Sequence, residues 1–151
     1  MDITLISPCC HVTSYGLTCI NLTNALYELG HTLSLIPIGN VSVDPKCAHT
    51  HTNIKEALRK GQLDYDRNSP CVRLYHSFSQ NQFSGRGPHV SFVIFELDEL
   101  NEVEKFQLSN VEAVITCSSW GKDILDKEIK NKTYVVPLGV DDKVFYPGKT
   151  D

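Results

Sequence analysis

No stretch of the 151-residue sequence approaches the roughly 18–20 consecutive apolar residues that a membrane-spanning helix needs. Cationic runs are missing too: 14 Lys and Arg stand scattered against 18 Asp and Glu, for a net charge of −4. A nucleic-acid backbone or an anionic membrane selects for the opposite balance, so neither nucleic acid nor membrane insertion is expected. The N-terminal run Met1-Asp2-Ile3-Thr4-Leu5-Ile6-Ser7-Pro8 carries an acid and no basic residue. It does not read as an export signal, and a cytoplasmic protein is expected. Internal repeats and low-complexity tracts are also lacking. What is present, 41% hydrophobic and 21% charged residues, suits one ordinary domain with a sizeable core.

Six cysteines are present, but a chain without an export signal meets a reducing compartment, so a disulfide framework is not expected. Cys9, Cys10, Cys19, Cys71 and Cys117 lie in or beside apolar runs, where cysteine acts as a small hydrophobe. The segment Cys47-Ala48-His49-Thr50-His51 alone looks like ligand chemistry. If extended, it projects Cys47, His49 and His51 to one side. Its spacing matches no usual structural-zinc pattern, and a fourth ligand would have to come from Cys9, Cys10 or His11. A polar connection rich in histidine is the plainer reading, and no metal is expected.

Apolar periodicity sets out the elements. Ile3 to Ile6 reads as a buried strand, Cys9 to Gly16 as a loop, and Leu17 to Leu29 as a helix stopped by Gly30. Leu33 to Ile38 is a second strand. Asn53 to Lys60 is a short helix with an asparagine cap and Gly61 as its stop. Cys71 to His76 and His89 to Phe95 are strands flanking a polar loop, Ser77 to Gly87. Asn101 to Ser109 is a helix and Val111 to Cys117 a strand. Ser118 or Ser119 caps a helix from about Trp120 to Ile129, and Tyr134 to Leu138 is the last strand. Strands alternating with helices predict an α/β fold: a Rossmann-like three-layer α/β/α domain with a mostly parallel sheet of about six or seven strands. A flavodoxin-like order of the same elements is the alternative.

In such sheets ligands bind at the carboxyl ends of the strands, so residues just after each strand are the candidates. Familiar signatures are missing there. Gly16 stands alone where a dinucleotide fingerprint has three glycines, and no Walker lysine follows a glycine loop. Ser118-Ser119 lacks the glycines of a nucleophile elbow. Gly16 at a helix entrance can present backbone amides to a phosphate, or can serve a plain turn. Glu96, Asp98 and Glu99 can do acid–base work or bind sugar hydroxyls, or can simply favour the N-terminus of the following helix. His76 is placed either for a polar role or to satisfy backbone groups.

Taken together, these strand ends resemble a known family. The residues that carry the resemblance are Phe95-Glu96-Leu97-Asp98-Glu99-Leu100, the run from Leu108 through Ser118 to Leu125, and above all Val135-Val136-Pro137-Leu138-Gly139-Val140-Asp141-Asp142-Lys143-Val144-Phe145-Tyr146-Pro147. Tyr15-Gly16 and Ala25-Leu26-Tyr27-Glu28-Leu29-Gly30-His31 fit the opening of the same pattern. The pattern is similar to that of the acceptor-side, N-terminal domain of GT-B-fold glycosyltransferases, in the retaining group that includes glycogen synthase and sucrose synthase. Residues from about Val41 to Ser69 match it weakly.

The resemblance implies an acceptor-side domain over residues 1–140, the start of an inter-domain linker over 141–151, and a donor-binding C-terminal domain that this sequence does not contain. It implies a nucleotide-sugar donor as co-substrate, an acceptor of unknown identity, and no metal or other cofactor. His76 and Glu96 would be the catalytic residues, lining the cleft and orienting the acceptor hydroxyl. Tyr15, Gly16, Ser118, Ser119 and Gly139 would contact donor phosphate or substrate. Such a half is expected to be inactive alone. The alternative is a non-catalytic binding or assembly module on the same fold, dimerising through the exposed inter-domain face.

Overall fold

The structure, a computed structural model, describes residues 1–44, 48–140 and 148, with the backbone alone at 48–50. Among the described residues six strands, β1 (Asp2–Ser7), β2 (Thr32–Pro37), β3 (Cys71–Tyr75), β4 (His89–Val93), β5 (Ala113–Thr116) and β6 (Lys132–Val135), are interspersed with four α-helices. The helices are α1 (Ser14–Glu28), α2 (Ala48–Leu63), α3 (Glu102–Ser109) and α4 (Ser119–Glu128). All five strand pairings are parallel, in the order β2-β1-β3-β4-β5-β6. The fold is therefore α/β and Rossmann-like, as the alternation of elements predicts. Its strand order is the flavodoxin-like one, with the topological switch between β1 and β3.

Side-chain alternation along the strands divides the core into two layers. Leu5, Leu33, Leu35, Leu74 and Phe92 form one buried cluster with Cys19 and Ile20 of α1 and Ile54 and Ala57 of α2. Val93, the neighbour of Phe92, points the other way and joins Val114, Leu108 of α3 and Leu125 of α4. Each such side chain contributes about 1.5–3 kcal/mol on burial. Cys9, Cys19 and Cys71 are buried, Cys10 and Cys117 partly so, and all five are free thiols. They pack as small hydrophobes, as their apolar surroundings in sequence suggest.

Helix boundaries depart from the sequence expectation at two places, both involving glycine. Helix α1 begins at Ser14, capped by the Thr13 side chain, so Gly16 lies inside its first turn and not in a loop. Helix α2 begins at Ala48 and runs through Gly61, which is no stop. A β-carbon on Gly61 would lie 2.1 Å from the carbonyl oxygen of Leu35. The missing side chain lets α2 press directly on the backbone of edge strand β2, whose Leu33, Ser34 and Leu35 are all buried. Gly30, by contrast, has the positive φ of 79° that the end of α1 requires.

The helical start of α2 also alters the metal question. The backbone at 48–51 is helical and not the extended chain on which a shared side for Cys47, His49 and His51 depended. His51 instead meets the backbone oxygen of Asp44 at 2.6 Å. Cys47 lies outside the described residues, as do 141–147 and 149–151, where the linker is expected. The last strand is displaced toward the N-terminus, Lys132–Val135 where Tyr134 to Leu138 is expected, and beyond it the amide of Val136 bonds Thr116 O at 2.9 Å. Among the described residues no helix is long and apolar enough to cross a membrane.

Candidate functional site

Three loops meet at the carboxyl rim beside the switch point. Tyr15, in the first turn of α1, reaches across to the ends of β3 and β4. Its hydroxyl lies 3.1 Å from Nδ1 of His76 and 2.9 Å from the carbonyl oxygen of Ile94. The Tyr15 and His76 rings meet edge-on with centroids 4.6 Å apart, and Tyr75 packs against both. On its other side His76 stacks on Phe78 at 4.9 Å and 11°. Phe78 is 57% exposed, so the stack opens to solvent.

Burial pushes the Tyr15 hydroxyl up to about 12, with the charges of Tyr75, Glu96 and Cys117 acting in the same direction. Glu96 is exposed after β4 yet close enough to be felt by Tyr15. The structure thus joins Tyr15 to His76 directly, while Glu96 follows β4 and acts on Tyr15 only through its charge. Ser118 caps α4, its hydroxyl accepting the amide of Gly121 at 3.0 Å, and Ser119 is the exposed first residue of that helix. Gly139 is exposed, with open space around it. Among the described residues no hydrogen bond joins Ser118, Ser119 or Gly139 to the Tyr15–His76 pair. Gly16 is buried: its amide is taken by Thr13, and the space of its missing side chain is filled by the backbone of Cys10.

A buried polar clamp, not foreseen from sequence, holds the His76 loop. Arg73, 2% exposed in the middle of β3, donates to Ser79 O at 2.5 Å and Gln82 O at 3.1 Å, and to the Ser79 hydroxyl. Burial lowers the pKa of its guanidinium, which nonetheless stays charged. Gln80 donates from Nε2 to the carbonyls of Tyr75 and His76, at 3.0 and 3.1 Å, and its amide is held by Gln107. Ser77 donates to Glu104 at 2.5 Å, and the same carboxylate closes a capping box with Asn101. Two signals were available in the sequence: an arginine inside an apolar strand, and the aromatic Phe78 in a polar loop.

Beyond Glu96 the chain forms an open concavity of about 330 Å³ lined by Leu97, Asp98, Glu99, Leu100, Asn101 and Glu104. No three His, Cys, Asp or Glu side chains among the described residues converge to hold a metal ion. What the rim offers is an imidazole, a nearby carboxylate and an aromatic stack, a set suited to hydrogen-bonding and orienting a hydroxylated ligand.

The chain is similar in structure to sucrose-phosphate synthase from Thermosynechococcus elongatus, with a TM-score of 0.61 and 17% sequence identity. The alignment covers 98% of this chain and 50% of the synthase. The chain has the fold of half of that enzyme. It therefore spans about half the length of the structure it matches, and the resemblance drawn from sequence is met at the level of fold. No protein-family model matches the chain, and no curated protein does.

Proposed function

We propose that the chain is the acceptor-binding half of a nucleotide-sugar-dependent, retaining glycosyltransferase, inactive by itself. The observation that carries this reading is the likeness to half of a sucrose-phosphate synthase over nearly the whole chain. The Tyr15–His76–Glu96 group supports it, because it stands at the carboxyl rim beside the switch point, where open α/β sheets bind ligands. In this role His76 and Glu96 orient the acceptor hydroxyl, and the exposed ring of Phe78 offers a face to the acceptor sugar. Gly16 lets the first turn of α1 sit against the segment leaving β1, and since its own amide is held by the Thr13 cap, its part is to place Tyr15 at the rim. Ser118, Ser119 and Gly139 complete the rim towards the donor. A second domain supplies the nucleotide site and the opposite wall, and no metal is required.

Glycosyl transfer needs the anomeric carbon and the acceptor oxygen held at near-attack distance, which can supply about 7–11 kcal/mol of the barrier. One open wall cannot do that or exclude water. Calorimetry with a panel of sugar nucleotides on residues 1–151 is therefore expected to show weak binding or none, with no turnover. Micromolar binding with measurable transfer by this chain contradicts the proposal.

A second reading has its own observation. Trp120 and Leu138 are each 47% exposed, and Leu17, Tyr134 and Val136 are also uncovered. On this reading the chain is a non-catalytic module that associates with a second copy through such surfaces. Sedimentation from low to high concentration separates the two: a strict monomer sinks the self-association reading.

A further inference from the structure

A tyrosine hydroxyl has one proton to donate. That of Tyr15 faces two groups, the carbonyl oxygen of Ile94 at 2.9 Å and Nδ1 of His76 at 3.1 Å. A carbonyl only accepts, so the contact to Ile94 is a hydrogen bond only if the Tyr15 proton points there. If the proton pointed to His76 instead, two oxygens would face each other at 2.9 Å with no hydrogen between them. Both contacts are satisfied together in one arrangement: Tyr15 donates to Ile94, and Nδ1–H of His76 donates to the Tyr15 oxygen.

We infer that Tyr15 is a positioning residue that sets the tautomer of the uncharged His76 ring as Nδ1–H, leaving the Nε2 lone pair to accept a hydrogen bond from a ligand hydroxyl. Among the described residues no protein group bonds Nε2 of His76. The surroundings fix the arrangement. The Tyr15 ring is lodged against Tyr75 and His76, with centroids 5.6 and 4.6 Å away. Gln80 ties down the carbonyls of Tyr75 and His76 from beneath. The partner of one ring nitrogen decides what the other can do. Here an internal tyrosine–carbonyl pair consumes the donor nitrogen and leaves the accepting one.

The use of Nε2 toward an acceptor hydroxyl rests on the glycosyltransferase reading; the tautomer does not. It is read on the ligand-free 151-residue chain, so the two can fail separately. Long-range 1H–15N correlations of the imidazole rings are recorded at a pH of about 8.5, above the ordinary imidazole range. His76→Gln identifies the His76 signals among the six histidines. The wild-type chain is expected to show the Nδ1–H pattern at His76. Tyr15→Phe is expected to shift the tautomer ratio toward Nε2–H by at least about fivefold, the factor that loss of one ordinary hydrogen bond allows. An Nε2–H pattern in the wild type overturns the inference, and so does an unchanged ratio in Tyr15→Phe. Should that variant fail to fold, the wild-type pattern decides alone.

Discussion

A β-carbon placed on Gly16 would stand 2.0 Å from the carbonyl oxygen of Cys10, closer than any real contact. The first turn of α1 and the segment leaving β1 are thus in backbone contact, and that contact sets Tyr15 over the rim. Gly16→Ala forces the two apart and is expected to destabilise the chain by about 3 kcal/mol or more. Gly61→Ala, against Leu35, should behave alike. Gly30→Ala meets open space and suffers only its positive φ, at about 1 kcal/mol. Denaturant midpoints for the three variants check this order.

Arg73→Met keeps the volume and apolar stem in β3 while removing the donors to Ser79 and Gln82. The expected loss is about 3 kcal/mol, since charged hydrogen bonds are broken and buried acceptors orphaned. Amide exchange should quicken first in residues 77–82. Uniform exchange with an unchanged midpoint contradicts the clamp.

These two cases also show what the sequence disclosed and what it did not. The strand–helix alternation, the strands ending near His76 and Glu96, and the stop at Gly30 follow from local patterning. Gly61 looks like a helix stop in sequence because a glycine late in a helical run reads the same whether it ends the helix or lets it touch a strand. Only the proximity of Leu35, 26 positions earlier in the sequence, separates the two. The candidate site was legible in part for the same reason. Strand ends marked Tyr15, His76 and Glu96, but the clamp of Gln80, Gln107 and Glu104 joins segments 27 residues apart that no local pattern connects.

Ser118 has a structural duty as the cap of α4. Ser118→Ala is expected to cost about 1 kcal/mol of stability, whereas Ser119→Ala should be nearly neutral, within about 0.5 kcal/mol. Thermal unfolding of both variants tests the assignment. Equal losses contradict it.

Alkaline pH offers a separate check on Tyr15. Its folded pKa of about 12 lies above the unfolded value, so the folded chain binds the phenolic proton more tightly. That stability is fully present below about pH 10 and is lost as pH rises toward 12. Tyr15→Phe should therefore lose less stability than the wild type between about pH 10 and 12. Parallel stability curves across that window contradict the burial of the hydroxyl.

The central claim is met most directly by measuring glycosyl transfer from a panel of sugar nucleotides to a panel of sugars and sugar phosphates. Three proteins are compared: the complete gene product with any sequence that follows Asp151, the same product carrying His76→Ala, and residues 1–151 alone. The prediction is transfer by the complete product, a fall of about 100-fold or more with His76→Ala, and none by the 151-residue chain. Absence of transfer by the complete product across both panels, or full activity without the His76 imidazole, contradicts it.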